Sequence, residues 1–259
     1  MNSYAIIVTV KPKPLLISVA VALAIAAFFV ARVPLTPSMT LISSINVVLF
    51  ALPSYYAVVR LRGKARGADI IGLLGLYALL IETSAINTGF PYGDFIYHDL
   101  LGSKLFDATP WTVAFAYPPI LLLAYWMASR HITARQKISI AVLTALIATL
   151  IDAVLDPAAV RLGFWEWYNP GRYYGVPLVN FAGWLLTSFV GGLLLAWLLP
   201  LKSEASDSTR GLSYSGLAIV WFWTWINLWL GQWIPLAIGI LVLAMIYRHL
   251  KSRRGTIEA

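Results

Sequence analysis

The sequence predicts an all-α protein, a polytopic transmembrane helix bundle of about eight spans forming one integral membrane domain over residues 1–259. Three observations carry that prediction. Hydrophobic residues fill 60% of the chain and charged residues only 12%, about half the charged share of an average soluble domain, and mean hydropathy is +0.78. Charge-free windows of spanning length recur along the chain. Basic residues collect in alternate loops. This composition also excludes a disordered chain, which lacks apolar residues. The chain has no Cys, so disulfides, thiolate metal sites and Cys nucleophiles are excluded. A net charge of +8 reflects basic cytoplasmic loops in such a chain, with no nucleic-acid partner implied.

The spans follow in order. Residues 14–32 are apolar between Lys13 and Arg32, and 38–60 end at Arg60. The first run is too long for a secretory h-region of about 7–15 residues and is read as an uncleaved anchor. Spans three and five, 68–89 and 136–156, contain acids, whereas 110–129 and 178–200 are free of charge. Pro157 disfavours helix in the residue before it, so span five is expected to stop at Asp156. The window 211–247 is 37 residues long, too long for one helix across about 30 Å of hydrocarbon. Gly231-Gln232-Trp233-Ile234-Pro235 supplies a turn, giving spans 211–230 and 233–249. No tandem repeat is visible, and the polar stretch 202–210 reads as a loop.

The basic residues orient this count. Lys11 and Lys13 precede span one. Arg60, Arg62, Lys64 and Arg66 lie in the second loop, Arg130, Arg135 and Lys137 in the fourth, Lys202 and Arg210 in the sixth. Arg248, Lys251, Arg253 and Arg254 follow span eight. These fifteen face only four on the alternate side: Arg32, Lys104, Arg161 and Arg172. The asymmetry places both termini in the cytoplasm and makes the number of spans even.

The orientation puts the polar residues at one membrane level. Glu82 falls in the outer half of span three. Asp152 and Asp156 are i, i+4 on span five and share a face, with Asp152 one turn deeper, about 6 Å. An acid inside a span is a functional candidate, because an unpaired charge there costs several kcal/mol. Two like charges on one face resist ionising together, which keeps a proton available for general-acid chemistry. Asn46, Asn87, Asn180, Asn227 and Gln232 lie at the same outer level, and no comparable polar group occupies the inner halves. For any one amide, helix capping or interhelical hydrogen bonding is the plainer role.

Aromatics crowd that level too: Trp221, Phe222, Trp223, Trp225 and Trp229 in span seven, and Phe164, Trp165, Trp167, Tyr168, Tyr173 and Tyr174 in the outer loop 157–177. An interfacial belt accounts for part of this cluster. The remainder would line an apolar tunnel, where ring faces can flank a developing cation. The outer loops 90–109 and 157–177 are long enough to fold over a site. The chain lacks a Gly-rich phosphate loop, a GxSxG elbow and an HExxH pair. Its three scattered His residues do not suit haem or di-iron ligation.

Two segments carry a family likeness. Thr88-Gly89-Phe90-Pro91-Tyr92-Gly93-Asp94-Phe95-Ile96-Tyr97 follows Glu82, and residues 152–184 read DAVLDPAAVRLGFWEWYNPGRYYGVPLVNFAGW. An acid ahead of TGxPxGxxxY, then DxxxDP, WxWY, YYGxP and NFxGW, resembles the CruF-type carotenoid 1,2-hydratases and bisanhydrobacterioruberin hydratases. The likeness extends over most of the chain in length and span pattern. It implies a multi-pass protein of the cell membrane that adds water to a terminal isoprenoid double bond of an acyclic C40 or C50 carotenoid. No cofactor or metal is implied, and the partners are the carotenoid, water and membrane lipid.

The roles follow from the chemistry of that addition. Asp152, the deeper acid, is the expected proton donor, with Asp156 or Glu82 positioning the water and taking its proton. Trp165, Trp167 or Tyr173 would flank the cation. Asn87, Tyr92, Asp94, Tyr174, Asn180, Trp184 and Asn227 complete the candidate substrate-binding set. Three other readings compete: a lycopene-cyclase-like enzyme, a Mg-dependent prenyltransferase using Asp152 and Asp156, and a non-enzymatic isoprenoid carrier. The prenyltransferase would need a second acid-rich motif, and the carrier would need polar groups through the full depth.

Overall fold

In the computed structural model, which describes residues 12–130, 132, 136–201 and 207–251, helices stand at all eight expected places. They are α1 (Pro12–Arg32), α2 (Thr40–Arg62), α3 (Lys64–Thr88), α4 (Val113–Ser129), α5 (Lys137–Arg161), α6 (Leu178–Leu198), α8 (Tyr214–Leu230) and α9 (Trp233–Lys251). The single turn α7 (Asp207–Arg210) precedes α8. Of the polar stretch expected as a loop, 202–206 lie outside the described residues, as do Lys11, Arg135, Arg253 and Arg254.

Six of these helices are long and apolar enough to cross a membrane, and the protein is an integral membrane helix bundle. The helices at places four and seven, α4 and α8, have 17 residues each, roughly 26 Å of rise. That is short of a hydrocarbon core of about 30 Å. The reason is clear in α4. It was expected from residue 110, but Thr109–Pro110 (β3) pairs with Lys104–Leu105 (β2) and holds that stretch extended. Every residue from Tyr117 to Ser129 is buried, so α4 is sheathed by other helices and need not match the lipid. In contrast, α1 turns Leu15, Leu16, Ile17, Val21 and Phe29 outward, as a lipid-facing helix must.

Two of the prolines inside helices, Pro157 and Pro118, are matched by tyrosine donors. Span five was expected to end at Asp156, yet α5 continues through Pro157 to Arg161. A proline at this position removes the hydrogen bond to the carbonyl four residues back, that of Ala153. The Tyr173 hydroxyl donates to that carbonyl at 2.8 Å, Asn227 Nδ2 donates to the next one, Val154 O, at 2.7 Å, and Gln232 Nε2 donates to Pro157 O at 3.0 Å. Pro118 in α4 likewise frees Ala114 O, which accepts from the Tyr55 hydroxyl at 2.6 Å. Donors distant in sequence thus preserve helices that local rules would end.

The two long loops close one end of the bundle. Phe95–Tyr97 (β1) pairs antiparallel with Trp165–Trp167 (β4), matching Phe95 with Trp167, Ile96 with Glu166 and Tyr97 with Trp165. Side chains alternate across a strand, so Phe95, Tyr97, Trp165 and Trp167 share one face. Trp167 Nε1 donates to Tyr92 O at 3.0 Å, and His98 N to Phe164 O at 3.0 Å. The loop sits directly on α6 because residue 183 is glycine. A Cβ there would lie 2.5 Å from the Tyr92 ring.

The basic asymmetry predicts the side of the membrane on which this roof lies. Reporter fusions after residues 66, 109, 177 and 259 are expected to read inside, outside, outside and inside. An outside reading at the last position makes the span number odd and reverses one end.

Candidate functional site

Beneath the roof lies a cavity of about 80 Å³ between α3, α4, α5 and α6. A water needs roughly 10–15 Å³ of such space, so the chamber has room for several waters or a small apolar group. It does not extend as the apolar tunnel expected for a whole polyene.

Each acid reaches this region from its own helix. Glu82 lies in the last two turns of α3 and lines the cavity. Asp156 lines it from α5, one turn above Asp152. Asn180, in the first turn of α6, lines it as well. Asn180 Nδ2 donates to Asp152 Oδ2 at 2.9 Å and to Asp156 Oδ2 at 2.6 Å. One amide nitrogen thus clamps the two carboxyls together, and its two hydrogens are both used. What Asn180 has left for the cavity is an acceptor, its carbonyl oxygen.

Asp152 is fully buried and is not part of the cavity wall. Among the described residues, its Oδ1 has no hydrogen-bond partner. Depth alone had marked it as the donor, but it sits behind Asp156 and Asn180. Glu82 has a different companion, the Tyr97 hydroxyl, which donates to Oε2 at 3.1 Å. Burial pushes the Tyr97 phenol well above its ordinary value, so it remains protonated and serves as a donor. Burial does the same to Tyr92 in the roof loop, whose hydroxyl pairs with Thr187 Oγ1 at 3.0 Å.

The rest of the wall is aromatic and aliphatic. Tyr92, Trp165, Trp167 and Trp184 are there, as expected. Tyr117 and Trp184 stand 5.1 Å apart between centroids, Phe95 and Trp167 5.8 Å, and Tyr97 and Trp165 5.7 Å, edge to face. The α4 wall, Val113, Ala116, Tyr117 and Ile120, was missed in the sequence, as were Phe95 and Tyr97. Spacings of three and four mark one face of α4, and alternation marks Phe95 and Tyr97. Either pattern signals a face without saying what it faces.

Besides Asp152, five expected residues do not reach the cavity. Asn87 is exposed and donates to Thr83 O of its own helix at 2.7 Å. Asp94 is exposed at the roof edge, where its carbonyl accepts from Tyr168 N. Tyr173 and Asn227 serve the Pro157 region, as described above. Tyr174 lines a separate cleft with Arg161 and Gln232. In span seven, Trp221, Trp225 and Trp229 face α1 across an apolar groove, and Trp223 packs edge to face on Phe164. Among the described residues, no three His, Asp or Glu side chains are gathered closely enough to hold a metal ion.

The chamber is therefore apolar, aromatic and furnished with carboxyls in two distinct settings. It can protonate an alkene, flank a cation with ring faces and hold a water. One similar protein is the bisanhydrobacterioruberin hydratase of Haloarcula japonica. It is 33% identical over 196 residues, which cover 74% of this chain and 66% of the relative's length. The chain thus spans just under two thirds of that relative. No solved structure gives a significant match. Residues 19–246 match the sequence model of a family described as carotenoid biosynthesis protein. That match takes in every helix that builds the cavity, and it agrees with the resemblance carried by the two motif segments: the chain belongs to the carotenoid biosynthesis protein family.

Proposed function

We propose that the protein is a cofactor-independent carotenoid hydratase, a hydro-lyase acting on the terminal isoprenoid double bond of an acyclic C40 or C50 carotenoid. The observation that carries this reading is the pair of cavity-facing carboxyls, Asp156 and Glu82, on different helices within one aromatic chamber. The relative named as a bisanhydrobacterioruberin hydratase supports the same reaction class.

The reaction begins with transfer of a proton to the less substituted alkene carbon. The positive charge then rests on the tertiary carbon, and water captures it to give a tertiary alcohol. In this reading the Asp152–Asp156 pair holds the proton, and Asp156, which lines the cavity, delivers it. Asp152 acts from behind through the shared Asn180 amide. The Asn180 carbonyl oxygen orients the water by accepting one of its hydrogens. Tyr117, Trp165 and Trp184 present ring faces to the cation, and their bulk restricts competing water. The remainder of the polyene lies along the bundle in the lipid, since the chamber accepts only an end.

Expression in a lycopene-producing host, followed by mass spectrometry of the pigments, tests the reading. One added water per hydrated end is expected. An isomer of equal mass would replace this reading with a cyclase, an added prenyl unit with a transferase, and unchanged pigment with a carrier.

A further inference from the structure

The two cavity carboxyls differ in their company, and the difference divides the labour between them. Asp156 shares its amide donor with a second buried carboxyl. Glu82 has instead a single phenolic donor among the described residues. We propose that Tyr97 is a positioning residue that holds Glu82 as acceptor for the proton lost by the attacking water. This rests on the hydratase reading above.

The geometry leaves Tyr97 little freedom. Its strand is locked in register by β4, its ring is wedged between Phe95 at 5.3 Å and Trp165 at 5.7 Å, and it is only 9% exposed. Its hydroxyl therefore pins Glu82 Oε2, and the remaining oxygen, Oε1, is left for the cavity that Glu82 lines.

The step balances without a further reactant. The alkene π pair forms the new C–H bond with the Asp156 proton, and the water lone pair forms the C–O bond. The water O–H bond then breaks, and its proton passes to Glu82. A cavity water returns that proton to Asp156, so each turnover adds one water and leaves the enzyme unchanged.

The test uses the full chain in membranes of a lycopene-producing host and compares wild type, Tyr97→Phe, Glu82→Gln and the double variant. When capture falters, the cation loses a neighbouring proton and yields an isomer of equal mass. Tyr97→Phe is expected to lower alcohol formation about tenfold, as for loss of one hydrogen bond to a charged group, and to shift the ratio toward the isomer. Glu82→Gln should shift it further, and the double variant should be no worse than Glu82→Gln. An unchanged alcohol-to-isomer ratio in Tyr97→Phe, or losses that multiply in the double variant, overturns the proposal. Should Tyr97→Phe fail to accumulate, Glu82→Asp retracts the carboxyl from both Tyr97 and water. The same shift is expected there, and an unchanged ratio is equally fatal. Failure of the hydratase reading is distinct, because wild type would then form no alcohol.

Discussion

Asp156→Asn is expected to remove nearly all hydration while leaving the protein in the membrane. The substitution keeps the shape of the side chain and takes away its acidic proton. Positioned proton transfer contributes typically about 10²–10⁴-fold, and protonation of an unactivated alkene is the slow step, so the loss should reach at least that range. The Asn180 bridge has a second anchor in Asp152, which should keep α5 and α6 joined in the variant. Asp152→Asn is expected to be severely impaired as well, because it removes the partner with which Asp156 shares a proton in the proposed mechanism. The measurement is alcohol formed per unit of membrane-inserted protein, with co-purified carotenoid as the control for an intact chamber. Near wild-type hydration by Asp156→Asn would remove this residue as donor and leave Glu82 as the remaining cavity acid.

Asn180→Leu should do the second-largest damage, in both stability and rate. Asn180 is 2% exposed and holds two carboxyls with one amide. A leucine would leave both carboxyls in an apolar setting without their donor. Hydrogen bonds to charged groups are worth roughly 1.5–3 kcal/mol each, so a loss of about 3 kcal/mol or more is expected. It should appear as a lowered unfolding temperature in detergent and as poorer accumulation in the membrane. The protein that does fold should divert product toward the equal-mass isomer, because the carbonyl proposed to orient the attacking water is gone. Asn180→Gln retains the amide one methylene further out and should recover part of the stability. An Asn180→Leu protein as stable and active as wild type would show that the clamp does not matter to either property.

Much of this arrangement was legible in the residues. Composition and charge-free windows located the helices, because an apolar segment of spanning length has few alternatives to a membrane helix. The i, i+4 spacing put Asp152 and Asp156 on one face of α5, and the depth of Glu82 and Asn180 placed them at the same level. Those are local properties, set by the 1.5 Å rise and the 3.6-residue turn.

What only the tertiary structure decided is which atoms meet. Spacing fixes the angle of a side chain about its own helix, yet Asp156 reaches the chamber and Asp152 stops behind Asn180 because of where α6 packs. Tyr97 and Glu82 are 15 residues apart, and their contact depends on β1 folding back under the hold of β4. Pro157 should have ended α5 by its missing N–H, but Tyr173 supplies a donor to the freed carbonyl from the following loop. In each case a local preference was overridden by a partner distant in sequence, since a buried polar group in a low-dielectric interior must find one.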